Sequence, residues 1–375
     1  MKQKLILILS LILLLSACAE VPNRYSNVAI SIGFNDAPVT FVAYTNTQAE
    51  YDRYFEQLKT ELIYLGQLFD KYNDYPNLNN LKTINDNAGI QAIEVDQQLI
   101  DLLLFAKEWT TLSQNTFNIT LGAVLDIWSD YRNEGKLLNT ADPEAYGRIP
   151  SLELLQQANE CTGWDWVEID DEANTVYIRK PCTQLDVGGI AKGFAADIVI
   201  KKLMDAGLET AIINIGDSSI ITIGSKPNGD EWGVGIAQPK RNVIFADGSV
   251  DTLYFKESIH ISTSGDNQNY YLADDGAYYH HLIDPLTLFP TNTPLHSVTV
   301  ATSLSAGAAE ALSKAMFILP YEEALNLLTE LKAKHPNDTF EAVWVFELNQ
   351  APAESIESVE FSVIHSNGID SRLLR

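Results

Sequence analysis

Apolar residues recur along this chain at two spacings. From Ala49 to about Asp70, residues Tyr51, Tyr54, Phe55, Leu58, Leu62, Leu65 and Phe69 fall mostly three or four apart, which predicts an amphipathic helix. Asp96 is placed to N-cap a second helix, Gln97 to about Leu112. Further helices are predicted near Leu121–Trp128, from Ser151, from Gly193 to near Gly207, over Ser305–Leu319 and over Tyr321–Ala333. Alternating or β-rich runs predict strands at Val28–Ile32, Val39–Tyr44, Ala211–Ile215, Ser219–Ile223, Trp232–Ala237, Val250–Lys256 and Ser258–Thr263. Late strands are predicted at Val298–Thr302, Ala342–Phe346 and Val359–Ile364. Trp166–Ile169 and Thr175–Ile178 flank Asp170–Asn174 and read as a hairpin. Gly33-Phe34-Asn35-Asp36-Ala37-Pro38 reads as a turn, Asn73–Asn80 as a polar loop and residues 133–150 as a surface loop. Strands and helices mix without a steady βαβ alternation. The expected fold class is therefore α+β, with mixed and antiparallel β-sheets packed with helices.

The N-terminus has a different character. Lys2 and Lys4 precede an apolar run from Leu5 to Leu15, broken only by Ser10 and followed by Ser16-Ala17-Cys18. This is the layout of a lipoprotein signal: a positive start, a run too short to span a bilayer comfortably, and small residues before a cysteine. Residues 1–17 are read as the signal peptide, Cys18 as the lipidation site, 18–27 as a tether and 28–375 as one domain. The expected location is the extracytoplasmic face of a membrane, anchored through a diacylated Cys18.

Charge narrows the partners. The chain carries a net charge of −25, and removing residues 1–17 takes away two lysines and no acid, leaving −27. So acidic a body argues against nucleic acid and against docking on anionic headgroups. Besides Cys18 there are Cys161 and Cys182. In an exported protein these read either as a disulfide or as two buried thiols. Their spacing suits neither a zinc site nor a redox motif.

Three clusters have the makings of chemistry. In Leu185-Asp186-Val187-Gly188-Gly189-Ile190-Ala191-Lys192-Gly193, three glycines and a lysine precede a helix. That is either a phosphate cradle with Lys192 as counter-charge or a plain tight turn. In Tyr278-Tyr279-His280-His281-Leu282-Ile283-Asp284-Pro285, a histidine three residues before an aspartate is either a general base with an orienting carboxylate or structural. Thr263-Ser264-Gly265-Asp266 either offers a hydroxyl and backbone donors to a ligand or is a simple turn.

Taken together, in order and spacing, these clusters resemble the FAD:protein FMN transferases, the ApbE-like flavinyltransferases. The likeness extends to Asn214-Ile215-Gly216, Thr287, Pro290, Leu68-Phe69-Asp70-Lys71-Tyr72 and Thr116-Phe117-Asn118-Ile119-Thr120, and so covers nearly the whole mature chain. The resemblance implies a T-fold-like architecture. It also implies an enzyme that splits FAD, attaches FMN through a phosphoester to Ser or Thr of another exported protein, and releases AMP. The acceptor class it implies is an electron-transfer flavoprotein. It assigns Tyr72, Thr116, Phe117, Asn118, Asp186, Lys192, Thr263, Ser264 and Ser313 to FAD. His281 would serve the acceptor hydroxyl, with Asp284 orienting the site. Mg²⁺ is implied as cofactor, with the Gly189 carbonyl among its ligands.

Two departures stand against this pattern. Where the family has Gly-Gly-Asn or Gly-Gly-Asp, this chain has Gly216-Asp217-Ser218. Where the family's metal-binding Asp and Thr belong, in Ala-Asp-Ala-Leu-Ser-Thr-Ala, this chain has Glu310 and Lys314. A protonated lysine cannot ligate a metal. Glu310 and Lys314 also stand i,i+4, which on an exposed helix face reads as a routine ion pair. The alternative to a transferase is therefore a protein that binds or hydrolyses FAD without transferring it.

Overall fold

The computed structural model describes residues 22–34, 37–142, 144–239 and 248–369. Cys18, the signal peptide and Asn35-Asp36 of the expected turn lie outside these residues. The helices are α1 (Gln48–Leu68), α2 (Leu81–Asp86), α3 (Gln97–Leu112), α4 (Gly122–Ala141), α5 (Leu152–Asn159), α6 (Ala191–Asp205), α7 (Ala306–Ile318) and α8 (Tyr321–Lys334). The strands of the N-terminal half are β1 (Asn23–Ala29), β2 (Val39–Thr45), β3 (Ile93–Glu94), β4 (Val167–Asp170) and β5 (Thr175–Ile178). After α6 come β6 (Ala211–Ile215), β7 (Ser219–Ile223), β8 (Trp232–Ala237), β9 (Ser249–Phe255), β10 (Ile259–Gly265), β11 (Tyr271–Leu272), β12 (Tyr278–Tyr279) and β13 (Leu295–Thr302). Beyond α8 lie β14 (Phe340–Glu347), β15 (Ile356–Glu357) and β16 (Phe361–His365).

Nine strands form one sheet in the order β1-β2-β6-β7-β10-β13-β14-β16-β15, every neighbouring pair antiparallel. Strand alternation gives this sheet two apolar faces. Phe41, Ile213, Ile221, Val300 and Trp344 join the main core with the buried stripe of α1 and with α6, α7 and α8. Val343, Val345 and Val363 point the other way, where Ile236, Val250 and Leu253 of the β8–β9 ribbon cover them. Buried Asp251 of that ribbon holds His365 Nε2 at 2.5 Å, tying ribbon to sheet. β10 divides its residues in the same way. Ile259 and Ile261 lie in an apolar cluster with Val234 of the ribbon, whereas Ser262 and Ser264 meet Ser313 of α7.

A smaller core holds the second lobe. Leu121, Val124 and Trp128 of the α4 region pack with Leu155, Tyr271, Ile283 and Leu288. The Trp128 indole donates to the Leu288 carbonyl at 2.8 Å, so the loop after β12 hangs from α4. Gly135 lies inside α4 because a Cβ there would come within 2.3 Å of the Tyr271 ring.

Two expectations are corrected, and one element is added. Residues 23–27, read as tether, are the start of strand β1, which pairs with β2 from Asn23↔Thr45 onward. Residues 133–141, read as surface loop, continue α4, because the buried stripe of Val124, Trp128 and Gly135 persists through polar sequence. The six-residue α2 follows the polar loop and was not anticipated. Asn80 caps it by a reciprocal exchange with Thr83. The thiol alternative resolves to a Cys161–Cys182 disulfide, with Cα atoms 5.4 Å apart.

Candidate active site

A cavity of about 480 Å³ opens between the two lobes. Elements far apart in sequence build its wall. Tyr72 follows α1, Thr116-Phe117-Asn118 precede α4, and Leu121, Leu125, Ser129 and Arg132 present one helix face at spacings of four, four and three. Asp186, Gly188, Gly189 and Lys192 come from the entry to α6, Thr263 and Ser264 from β10, His281 from the loop after β12, and Lys314 from α7.

The glycines at the start of α6 have different uses. A Cβ on Gly193 would lie 2.4 Å from the Ala306 carbonyl oxygen, so this glycine lets α6 and α7 pack closely. Gly188 and Gly189 face the cavity. Asp186 is already engaged: one oxygen accepts Gly188 N–H at 2.8 Å and the other binds Lys71 at 2.9 Å. Lys71 also binds Asp126 at 2.6 Å. Burial alone would lower the Lys71 pKa, but Asp186 and Asp126 together hold it above its ordinary value. Asp186 thus ties α1, α4 and the glycine loop together at the cavity rim.

The 116–118 segment is similarly self-bonded. Gln114 and Asn115 have φ of 52° and 71°, turning the chain sharply after α3. Phe117 N–H donates to Ser113 Oγ at 3.1 Å, and the Asn118 carboxamide caps the following 3₁₀ turn through Thr120. These bonds fix the Phe117 ring in the wall. Asp217, in the left-handed region at φ 56° after Gly216 at 63°, is held by mutual bonds with the Asn214 side chain. The extra carboxylate therefore fits the turn, aspartate being one of the few side chains that tolerate it.

The two histidines separate. His280 is buried; its Nε2 donates to the Thr291 carbonyl at 2.9 Å, and its Nδ1 accepts Leu282 N–H at 3.2 Å. His281 lines the cavity, and its Nδ1 is buried with no hydrogen-bond partner among the described residues. Burial, then the charges of His280, Arg132, Lys314 and Lys192, hold its pKa well below the ordinary value, so the imidazole is neutral at pH 7. The expected carboxylate partner is corrected. Asp284 Oδ1 accepts Leu286 N–H at 2.8 Å and shapes a turn closed by Leu288 N–H on the Asp284 carbonyl. No hydrogen bond or ion pair joins it to His281 among the described residues. Ser313 is corrected too: fully buried, it lies behind the cavity wall, sharing hydrogens with Ser262 and Ser264 and donating to the Glu310 carbonyl.

Glu310 and Lys314 do not form the helix pair that their spacing suggests. The Lys314 ammonium lies 3.5 Å from the Glu310 main-chain carbonyl. The Glu310 carboxylate, 1% exposed, instead accepts the Ser219 hydroxyl and stands 3.8 Å from Lys192. Lys192 in turn donates to Ser218 Oγ at 2.5 Å. Burial lowers the Lys314 pKa to about 8, with Glu310 opposing and Lys192 reinforcing the shift, so the amine remains mostly protonated at pH 7. Sequence reasoning missed Arg132 and Ser219, and gave Lys71 and Ser218, quoted within motifs, no role of their own. Arg132 was legible in principle, had the helix of α4 been carried past Trp128.

A model of the ApbE family matches residues 36–336. The chain belongs to the ApbE family. Among ApbE relatives, it is 31% identical over 261 residues to the FAD:protein FMN transferase of Treponema pallidum, covering 67% of each chain. It is 26% identical over 283 residues to that of Klebsiella pneumoniae, covering 74% of this chain and 78% of the relative. The ApbE protein of Thermotoga maritima superposes with a TM-score of 0.70 at 25% identity, over 86% of this chain and 94% of its own. The expected α+β class and ApbE-like architecture are borne out.

The positions that the resemblance assigns to Mg²⁺ are neighbours, but their side chains do not suit the ion. A Cβ on Gly189 would meet Lys314 Cδ at 3.2 Å and Cε at 3.3 Å, so the lysine stem lies directly over this glycine. Mg²⁺ requires a near-octahedral shell of oxygens. Among the described residues no group of three or more His, Cys, Asp or Glu is placed to hold a metal.

Proposed function

We propose that the protein is an FAD:protein FMN transferase acting on an exported acceptor. In this reading FAD lies in the cavity, with Tyr72 and Phe117 beside the flavin and Lys192, Lys314 and Arg132 near the diphosphate. Thr116, Asn118, Asp186, Thr263 and Ser264 shape and hold its walls. A Ser or Thr hydroxyl of the acceptor attacks the FMN phosphorus. A new P–O bond forms, the bond to the bridging diphosphate oxygen breaks, and AMP leaves. The hydroxyl proton passes to His281, whose neutral imidazole can accept it. Positioning and charge do most of the work in such a transfer, and no step is assigned to Mg²⁺ because the side chains at its expected place do not fit it.

The observation that carries this reading is the convergence of the family's scattered motifs on one cavity, with His281 Nδ1 facing an unmet hydrogen bond. One observation favours the second reading, FAD binding or hydrolysis without transfer: a lysine stands at the metal position. Incubation with FAD and a purified exported electron-transfer protein separates the two. Transfer gives in-gel flavin fluorescence on the acceptor and AMP in equal amount. AMP with free FMN and no covalent flavin supports hydrolysis; neither product overturns both activities.

We further propose that Cys18 carries the lipid and that the body faces an extracytoplasmic compartment. The N-terminal pattern supports the anchor, and the Cys161–Cys182 disulfide suits an oxidising environment.

A further inference from the structure

Among the described residues three cations border the cavity: Arg132, Lys192 and Lys314. Arg132 Nε is buried and has no hydrogen-bond partner among the described residues. Lys192 is braced by Ser218 and the Glu310 carboxylate. Lys314 is braced by packing, its stem resting on Gly189 and its ammonium near the Glu310 carbonyl. Of the acids at the cavity, Asp186 is committed to Lys71 and Gly188, Asp217 is bonded to Asn214, and Glu310 Oε1 is bonded to Ser219. Glu310 thus offsets part of the Lys192 charge, and the cavity offers Lys314 and Arg132 as fixed positive charge with no carboxylate bonded to either among the described residues.

We infer that this protein holds the diphosphate of its dinucleotide with its own cations, Lys314 foremost, and not through a bound divalent metal. This rests on the flavin reading above. A divalent cation at that place would have to displace the Lys314 stem from Gly189 and sit against a like charge. The ammonium needs no such rearrangement. It brings three N–H donors for phosphate oxygens, and its helix is fixed by packing on β10 and β13. A preorganised cation of this kind gives charge-assisted bonds without recruiting an ion from solution.

The test is calorimetric titration of FAD into the purified full-length protein, in EDTA and in millimolar Mg²⁺. The two dissociation constants should agree within about twofold. Lys314→Met keeps the apolar stem and removes the charge. It should weaken FAD about 10- to 100-fold, the scale of a hydrogen bond to a charged group, and leave riboflavin, which has no phosphate, bound as before. Tenfold or greater tightening of wild-type FAD binding by Mg²⁺ overturns the inference, as does undiminished FAD binding by Lys314→Met. The wild-type comparison needs no variant and so stands even if Lys314→Met fails to fold. Absence of FAD binding in both buffers overturns the flavin reading itself. Binding that requires Mg²⁺ leaves that reading intact and removes only this inference.

Discussion

The imidazole of His280 has both nitrogens engaged, whereas its neighbour His281 presents a buried Nδ1 with no partner. That contrast makes substitution informative. His281→Ala should lower FMN transfer by about 10²–10⁴-fold, the usual contribution of a general acid–base group, with FAD affinity within a few-fold of wild type. His280→Ala should chiefly lower the melting temperature, since it removes two buried hydrogen bonds and an edge contact with Phe317. Equal transfer rates in wild type and His281→Ala would exclude His281. Because burial first, and then His280, Arg132, Lys314 and Lys192, disfavour a charged His281, the base form persists through neutrality, and wild-type transfer should show no acid limb near pH 6.5. Asp197 titrates in the opposite sense. Its carboxylate accepts Ala306 and Gly307 N–H at the start of α7, yet burial raises its pKa from 3.8 to about 6. The folded state thus takes up a proton more readily than the unfolded chain. The resulting stabilisation is complete below about pH 4 and is lost as pH rises through 6. Two pKa units correspond to at most about 3 kcal/mol. Urea unfolding of wild type and Asp197→Asn at pH 4 and pH 7 should show their stability difference shifting by about 1–3 kcal/mol, wild type gaining relatively at pH 4. An unchanged difference would contradict the raised value.

At the scale of elements, the Cys161–Cys182 bridge links the end of α5 to the segment after the β4–β5 hairpin, closing a loop of 21 residues. Restriction of the unfolded chain by such a loop is worth about 3 kcal/mol. Cys161→Ser should lower unfolding free energy by about that amount, measured by denaturant titration, and the wild type with reductant should match it. An unaltered midpoint in both would show that the bridge does not form. The sequence left this pairing as one of two readings, two buried thiols being the other, and only the folded geometry decides it. Most helices and strands were legible, because local periodicity and caps such as Asp96, Ser151 and Ser305 declare them within a few residues. What failed was long-range. The second half of α4 looks polar, and it is held by distant partners, the Tyr271 ring on Gly135 and the Asn139 side chain bonded to Leu272. The Glu310–Lys314 spacing predicts a local pair, but Ser219 and Lys192, distant in sequence, claim the carboxylate. Asp284 follows the same logic in reverse: a local turn claims the carboxylate that sequence had offered to His281. Residue types at the site could be read from motifs; which side chain meets which could not.

For the whole molecule, charge and anchoring form one argument. If residues 1–17 are removed, as proposed, the chain carries −27, a net charge that anionic headgroups repel. Among the described residues no helix is long and apolar enough to cross a bilayer. In the proposed arrangement the diacyl group on Cys18 supplies the attachment, since two chains anchor stably where one binds only marginally. Four residues separate Cys18 from β1, the edge strand of the nine-stranded sheet, so the sheet edge would sit near the membrane surface. Two consequences follow for the intact protein in cells. Washing membranes with high salt should release none of it, because screening cannot weaken an apolar anchor. Cys18→Ser should remove the acylation site and with it the lipid label and processing by the lipoprotein route. Fractionation with a radiolabelled fatty acid reads both. A correctly processed, lipid-labelled Cys18→Ser protein in the membrane fraction would place the anchor elsewhere. Release of the wild type by salt alone would mean that a charged surface outside the described residues, and not the lipid, holds the body in place.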